Sequence, residues 1–125
     1  MPVIDIANQL VAFCKEGKNL ESINTLYADD VVSVEAAPPP AGGDRVTEGI
    51  EGVRGKNKWW SENHEIHSAS VEGPWPHGDD RFAVRFTYDI TNKPMNMRMQ
   101  MDEIGVFHVA DGKIVREEFF YQMGG

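Results

Sequence analysis

The chain has 125 residues, the size of one domain, and its 41% hydrophobic content is enough for a core and too high for a disordered segment. A net charge of −8, with no cluster of lysine or arginine, lacks the basic footprint that nucleic acid or an anionic membrane surface needs. The single cysteine, Cys14, can form no internal disulfide; the start MPVIDIANQL does not read as a signal peptide, and no window approaches the ~20 apolar residues of a bilayer span. One cytoplasmic domain over residues 1–125 is the expectation.

Val3, Ile6, Ala7, Leu10, Phe13 and Cys14 recur at helical spacing, and Gly17 is placed to end that helix. Asn19 is a suitable cap for a second short helix with Leu20, Ile23, Leu26 and Tyr27 on its apolar face. DDVVSVEA then reads as a strand. The prolines of APPPAGG cannot continue a sheet ladder, so residues 38–44 form a loop, either a lid or a stiff connector. A third helix fits 50 to about 64, with Ile50, Val53, Asn57, Trp60 and His64 on one stripe.

HSASVEG is a short strand, followed by a turn at PWPHGDD. FAVRFTYDI alternates Phe82, Val84, Phe86 and Tyr88 against Ala83, Arg85, Thr87 and Asp89, the pattern of a half-buried strand. MNMRMQMDE alternates methionine with polar residues, and Asp111-Gly112 is a hairpin turn into KIVREEFFYQ. Three helices segregated from an antiparallel meander make an α+β domain.

The two hairpins disagree about faces. A two-residue turn at Asp111-Gly112 places Asp102 with Glu117 and Tyr121, and Arg98 on the same side. A two-residue turn at Asn92-Lys93 instead groups the methionines with Phe82, Val84, Phe86 and Tyr88, leaving Arg85, Asp89 and Arg98 on a polar face. A bulge or longer turn reconciles them, and Gly105 is a natural bulge site. We take the polar side of MNMRMQMDE to face the pocket and the methionines to face a second subunit.

The short capped helix running into LYADDVVSVEA, the glycine-bearing third helix and VFHVADGKIVREEFF resemble SnoaL-like proteins of the nuclear transport factor 2-like superfamily, which includes ketosteroid isomerase. The resemblance implies a cone: a curved, mixed or antiparallel sheet around a pocket closed by three helices, with homodimerisation through the sheet. Counting from YADD, the position of the isomerase's catalytic base falls on Glu35, and that of its helix-one tyrosine falls on Val11. Its second acid falls on Ile104 without gaps, or on Glu103 with a one-residue gap.

The candidates follow. A carboxylate at Glu35 among aromatic walls is a proton acceptor, with Asp102, Glu117 or His64 as partner acid. Trp60, Tyr88 and Tyr121 are candidate walls, and Arg98 could hold a carboxylate or enolate. For each there is a plainer role: Trp60 as core, His64 bonded to a carbonyl, and Arg98 with Asp102 in a surface ladder. His64 and His67 stand three apart at a helix-to-strand junction, not four apart on one helix, so no metal site is expected. No phosphate-cradling loop or axial-ligand motif accompanies the methionines, so no cofactor is expected. The resulting expectation is an isomerase, aldol cyclase or dehydratase acting on a small hydrophobic carbonyl compound, with a non-catalytic ligand-binding or dimerisation module as the alternative.

Overall fold

A computed structural model describes residues 2–37 and 43–121; residues 38–42, and with them most of the APPPAGG loop, lie outside that set. The elements are α1 (Val3–Lys15), α2 (Asn19–Leu26), β1 (Tyr27–Val34), β2 (Val46–Glu48), α3 (Ile50–Asn63), β3 (His64–Pro76), β4 (Arg81–Asn92), β5 (Met97–Ala110) and β6 (Lys113–Phe120). The strands form one curved, unclosed sheet in the order β2-β1-β6-β5-β4-β3. Only β1 and β6 pair in parallel, so the sheet is mixed. The three helices pack on one face. Among the described residues, no helix is long and apolar enough to cross a membrane.

Gly17 ends α1 as its spacing predicts. Its φ of 72° permits the reversal, and the amides of Gly17 and Lys18 donate to Cys14 and Phe13 at 3.1 and 2.9 Å, satisfying the last carbonyls. Asn19 is not a cap: it is the first residue of α2, and Lys18 stands at the cap position. β2, which sequence patterning does not reveal, is three residues paired to the end of β1. β3 is longer than HSASVEG, because the PWP segment expected in a turn continues the pairing with β4.

Both hairpin expectations contain part of the register. Asp111 and Gly112 have φ of 52° and 75°, the two-residue turn expected, with Ala110 opposite Lys113. The β4–β5 connection is a four-residue turn over 93–96, with Asn92 opposite Met97, and preserves the face grouping of the shorter turn. The reconciling bulge lies in β6: His108 pairs with Arg116 but Val109 with Ile114, leaving Val115 as the extra residue. Gly105 has a different duty. A Cβ there would lie 2.9 Å from the Phe107 ring and 3.1 Å from Phe119, so it gives two aromatic rings room on the inner face.

That bulge corrects the expected orientation of MNMRMQMDE. Met99 and Met101 lie on the inner face opposite Ile90 and Tyr88, while Arg98, Gln100 and Asp102 point outward. The core is built on this inner face: Ile6, Ala7, Leu10 and Val11 of α1 pack with Phe82, Val84, Phe86 and Phe107. The Phe82 and Phe107 rings stack at 5.1 Å. Burial of such side chains contributes roughly 1.5–3 kcal/mol each and fixes the helices against the sheet.

Candidate active site

A chain of polar side chains runs through this apolar interior. Glu117, on the inner face of β6, is 5% exposed. It accepts hydrogen bonds from the Tyr27 hydroxyl on one oxygen and from Ser33 Oγ at 2.6 Å on the other. Ser33 also accepts one from Lys56 Nζ at 2.7 Å. The same ammonium lies 2.7 Å from Glu35 Oε1, and the Tyr121 hydroxyl donates to Glu35 Oε2 at 3.1 Å. Six residues from β1, α3, β6 and the segments just beyond β1 and β6 thus share one network.

The fold explains why they meet. Parallel pairing sets Ser33 beside Glu117, and an irregularity between Tyr27 and Val32 lets both Tyr27 and Ser33 reach it. Glu35 stands one residue past β1, held by its amide to the Arg45 carbonyl at 2.9 Å. Lys56 falls three residues after Val53 and four before Trp60, on the buried stripe of α3, with its ammonium 5.8 Å from the Phe119 ring centre.

Glu103 completes the acid group. It lies on the inner face of β5 opposite Phe86, and its pKa is pushed up to about 7, first by burial and then by the charges of Glu35 and Glu117, with only Lys56 opposing. Burial also raises Glu117, while the bonds from Ser33 and Tyr27 pull it down. Tyr121 is pushed up to about 12 by burial and by Glu35. The side chains of Glu35 and Lys56 are each 27% exposed, so the network reaches solvent at that end.

A cleft of about 660 Å³ opens where the α1–α2 corner faces α3 and the inner side of β3 and β4. Leu20, Trp60, Ile66, Ala69 and Tyr88 give it apolar walls, and Asn19, Arg54 and Asn57 bring polar groups to it. Glu35, Glu103 and Glu117 are not among its lining residues; Cys14 and Tyr88 of the lining are the ones that feel the charges of Glu117 and Glu103. Cys14, lining the cleft, has its thiol pushed up to about 12 by burial and then by Glu117. Tyr88 is raised by burial and then by Glu103.

The residues singled out in the sequence therefore divide. Glu35, Glu117 and Tyr121 join one network, and Trp60 with Tyr88 lines the cleft, their rings 5.3 Å apart. His64 is 8% exposed, stacked on Trp60 at 4.6 Å, with Nδ1 2.8 Å from the Trp60 carbonyl; no bond links it to the acids. His67 points elsewhere, to Thr91 Oγ1 at 2.7 Å. Asp102 and Arg98 do not join the site: on the outer face Asp102 pairs with Arg85 at 2.7 Å and Arg98 with Asp89 at 2.9 Å. The Val115 bulge puts Glu103 on Tyr121's side in place of Asp102.

Sequence reasoning missed Lys56 and Ser33, and it placed Tyr27 on the apolar face of α2 where the structure has it opening β1 and bonded to Glu117. The position of Lys56 between Val53 and Trp60 was the available signal, hidden because a lysine reads as a solvent-facing residue.

A family model described as SnoaL-like domain matches residues 1–121. Among solved structures, the fold is similar to a Mesorhizobium loti protein described as a candidate SnoaL-like polyketide cyclase and also as a carbohydrate phosphatase. That pair has 42% identity and a TM-score of 0.90, covering 97% of this chain and 100% of the other. A nuclear transport factor 2-like protein from Burkholderia thailandensis is 17% identical with a TM-score of 0.80, covering 98% and 92% of the two chains. A candidate isomerase from Bacillus subtilis is 16% identical with a TM-score of 0.74, covering 95% and 85%. No curated protein matches the chain.

Proposed function

The chain belongs to the SnoaL-like domain family, and from that premise we propose that it is a cofactor-independent enzyme moving a proton next to the carbonyl of a small hydrophobic molecule. The observation that carries this reading is the Glu35 carboxyl held between the Lys56 ammonium and the Tyr121 hydroxyl, with a second acid, Glu103, on the inner sheet face opposite Phe86. Glu35 is a carboxylate fixed by Lys56 and Tyr121, and Glu103 has its pKa near neutrality.

In this account Glu35 takes a proton from the carbon beside the carbonyl. Protonated Glu103 donates a hydrogen bond to the oxygen as it gains enolate character. Returning the proton to another carbon gives isomerisation; attack of the enolate on a second carbonyl, or loss of a β-hydroxyl as water, gives aldol cyclisation or dehydration. Trp60 and Tyr88 offer flat apolar walls for the rest of the molecule.

The test is hydrogen–deuterium exchange at the α-carbon of a panel of cyclic and aryl ketones in D2O, followed by proton NMR. Wild-type protein accelerates exchange of at least one ketone, and Glu35→Gln lowers the rate by ~10²-fold or more. Exchange unaffected by Glu35→Gln overturns the proposal. The non-catalytic alternative draws on Glu35 and Glu117, each of which has both oxygens already bonded within the protein. It predicts ketone binding in the cleft without exchange.

The outer face, where half-buried Ile104 and Val106 lie near 49%-exposed Phe120, is the surface we assign to a homodimer. Light scattering across a dilution series reports a dimer if this is right, and a monomer at every concentration if it is wrong.

A further inference from the structure

We infer that Asn57 is a specificity residue of the cleft, and that the cleft takes an uncharged, flat molecule carrying a second polar group, a hydroxyl or carbonyl, besides the carbonyl at which the proton moves. This deepens the proton-transfer reading and rests on it for the reacting carbonyl.

The polar residues that α3 brings to the cleft are mostly paired. Arg54 donates to Asn24 Oδ1 at 2.8 Å and also to Glu51. Lys58 lies 3.8 Å from Glu62. Ser61 Oγ donates to the Asn57 carbonyl at 2.5 Å. The half-buried Asn57 side chain differs: among the described residues its amide has no hydrogen-bond partner, and the Trp60 indole N–H, three residues on, has none either. Pockets for small molecules are mostly apolar, with a few polar groups left to orient the ligand. An unpaired amide offers both a donor and an acceptor for that purpose.

Charge and shape narrow the ligand class. Glu51 and Glu62 balance the two cations at the cleft, Arg54 and Lys58, so no excess positive charge is left to hold an anion. The rings of Trp60 and Tyr88, with Leu20, Ile66 and Ala69, suit a flat apolar body. Gly55 leaves room on the α3 side. A Cβ there would meet nothing within 4 Å, whereas at Gly52 it would lie 2.7 Å from Thr47 Cγ2. Close packing therefore accounts for Gly52 and not for Gly55, although glycine inside a helix is destabilising relative to alanine.

The experiment titrates the protein with α-tetralone and with α-tetralone bearing a hydroxyl on its aromatic ring, and follows the tryptophan indole resonances by NMR. Trp60 lines the cleft; the half-exposed Trp59 and Trp75 do not, and serve as internal controls. The wild type binds the hydroxyl-bearing ketone roughly fivefold more tightly than the parent, with the larger shift at Trp60. Asn57→Leu removes this preference while still binding the parent, and no partner within the protein is lost by the change. A derivative with a carboxylate in place of the hydroxyl binds no more tightly than the parent. Gly55→Leu, which introduces a better helix former, weakens both ketones by intruding on the cleft. A hydroxyl preference that persists in Asn57→Leu overturns the inference. So does tighter binding of the carboxylate derivative than of the hydroxyl one, or binding unchanged by Gly55→Leu. The proton-transfer reading fails separately: an Asn57-dependent preference without deuterium exchange in either ketone overturns the enzyme and leaves the specificity of the cleft in place.

Discussion

The Tyr27 hydroxyl and the Glu117 carboxylate, 90 residues apart in sequence, share a hydrogen bond inside the apolar core. With the Ser33 bond to the other oxygen, it ties β1 to β6 at the one parallel pairing in the sheet. Glu117→Ala leaves two buried hydroxyls without their acceptor and opens a cavity, so it destabilises the fold by ~3 kcal/mol. Glu117→Gln keeps the shape and costs less. Urea unfolding measures both, and equal stability of Glu117→Ala and wild type would refute the structural duty of the pair.

Glu103 makes stability depend on pH in a definite direction. Its folded pKa, about 7, lies above the ordinary 4.5, so the native state holds the proton more tightly than the unfolded chain. Stability is therefore unpenalised below pH 4.5, falls as pH rises through the window to about 7, and levels off above it. The loss is of the order of 3 kcal/mol, roughly ten degrees in Tm. His108, lowered by burial and by Arg81 and Arg116, acts in the opposite sense, so the comparison must be made with Glu103→Gln. That variant has the flatter profile between pH 5 and 8 by calorimetry, and a profile parallel to wild type would exclude the assignment.

Gly105 faces Phe107 and Phe119, whose rings meet edge to face at 6.1 Å. A methyl group at Gly105 would come within 2.9 Å of Phe107, a ring only 1% exposed and unable to swing away. Gly105→Ala is expected to cost about 1–3 kcal/mol in unfolding free energy. An unchanged denaturation midpoint would show that the pair tolerates the added atom.

Asp102 and Arg98 provide the opposite case. Both are exposed and paired on the outer face. Asp102→Asn and Arg98→Ala should leave ketone exchange at the wild-type rate, as expected for screened surface pairs on the opposite face of the sheet. A large loss in the exchange assay for Asp102→Asn would return that residue to the site.

Much of this architecture was legible because its signals are local. The periodicity of α1, the Gly17 terminus, the α3 stripe and the Asp111-Gly112 turn each depend on a few neighbouring residues. The inward face of MNMRMQMDE was not, because one extra residue at Val115 reverses the parity inferred from the turn. Glu35 was reached through family resemblance, and the structure adds that a tyrosine and a lysine hold it. Glu103 was an alternative produced by one gap, whereas Asp102 looked equally suitable until the bulge separated them. Lys56 was invisible because its two oxygen partners come from residues 21 and 23 positions earlier.

The proposed proton transfer requires Glu35 and Glu103 to reach one bound ligand on the inner side of the sheet. The most direct measurement is a crystal structure of the wild-type protein with a bicyclic phenol, a stable mimic of an enolate. The account predicts the phenol oxygen within hydrogen-bond distance of Glu103, the rings against Tyr88 and Trp60, and Glu35 over the ring edge. A phenol bound with neither acid in contact would contradict it.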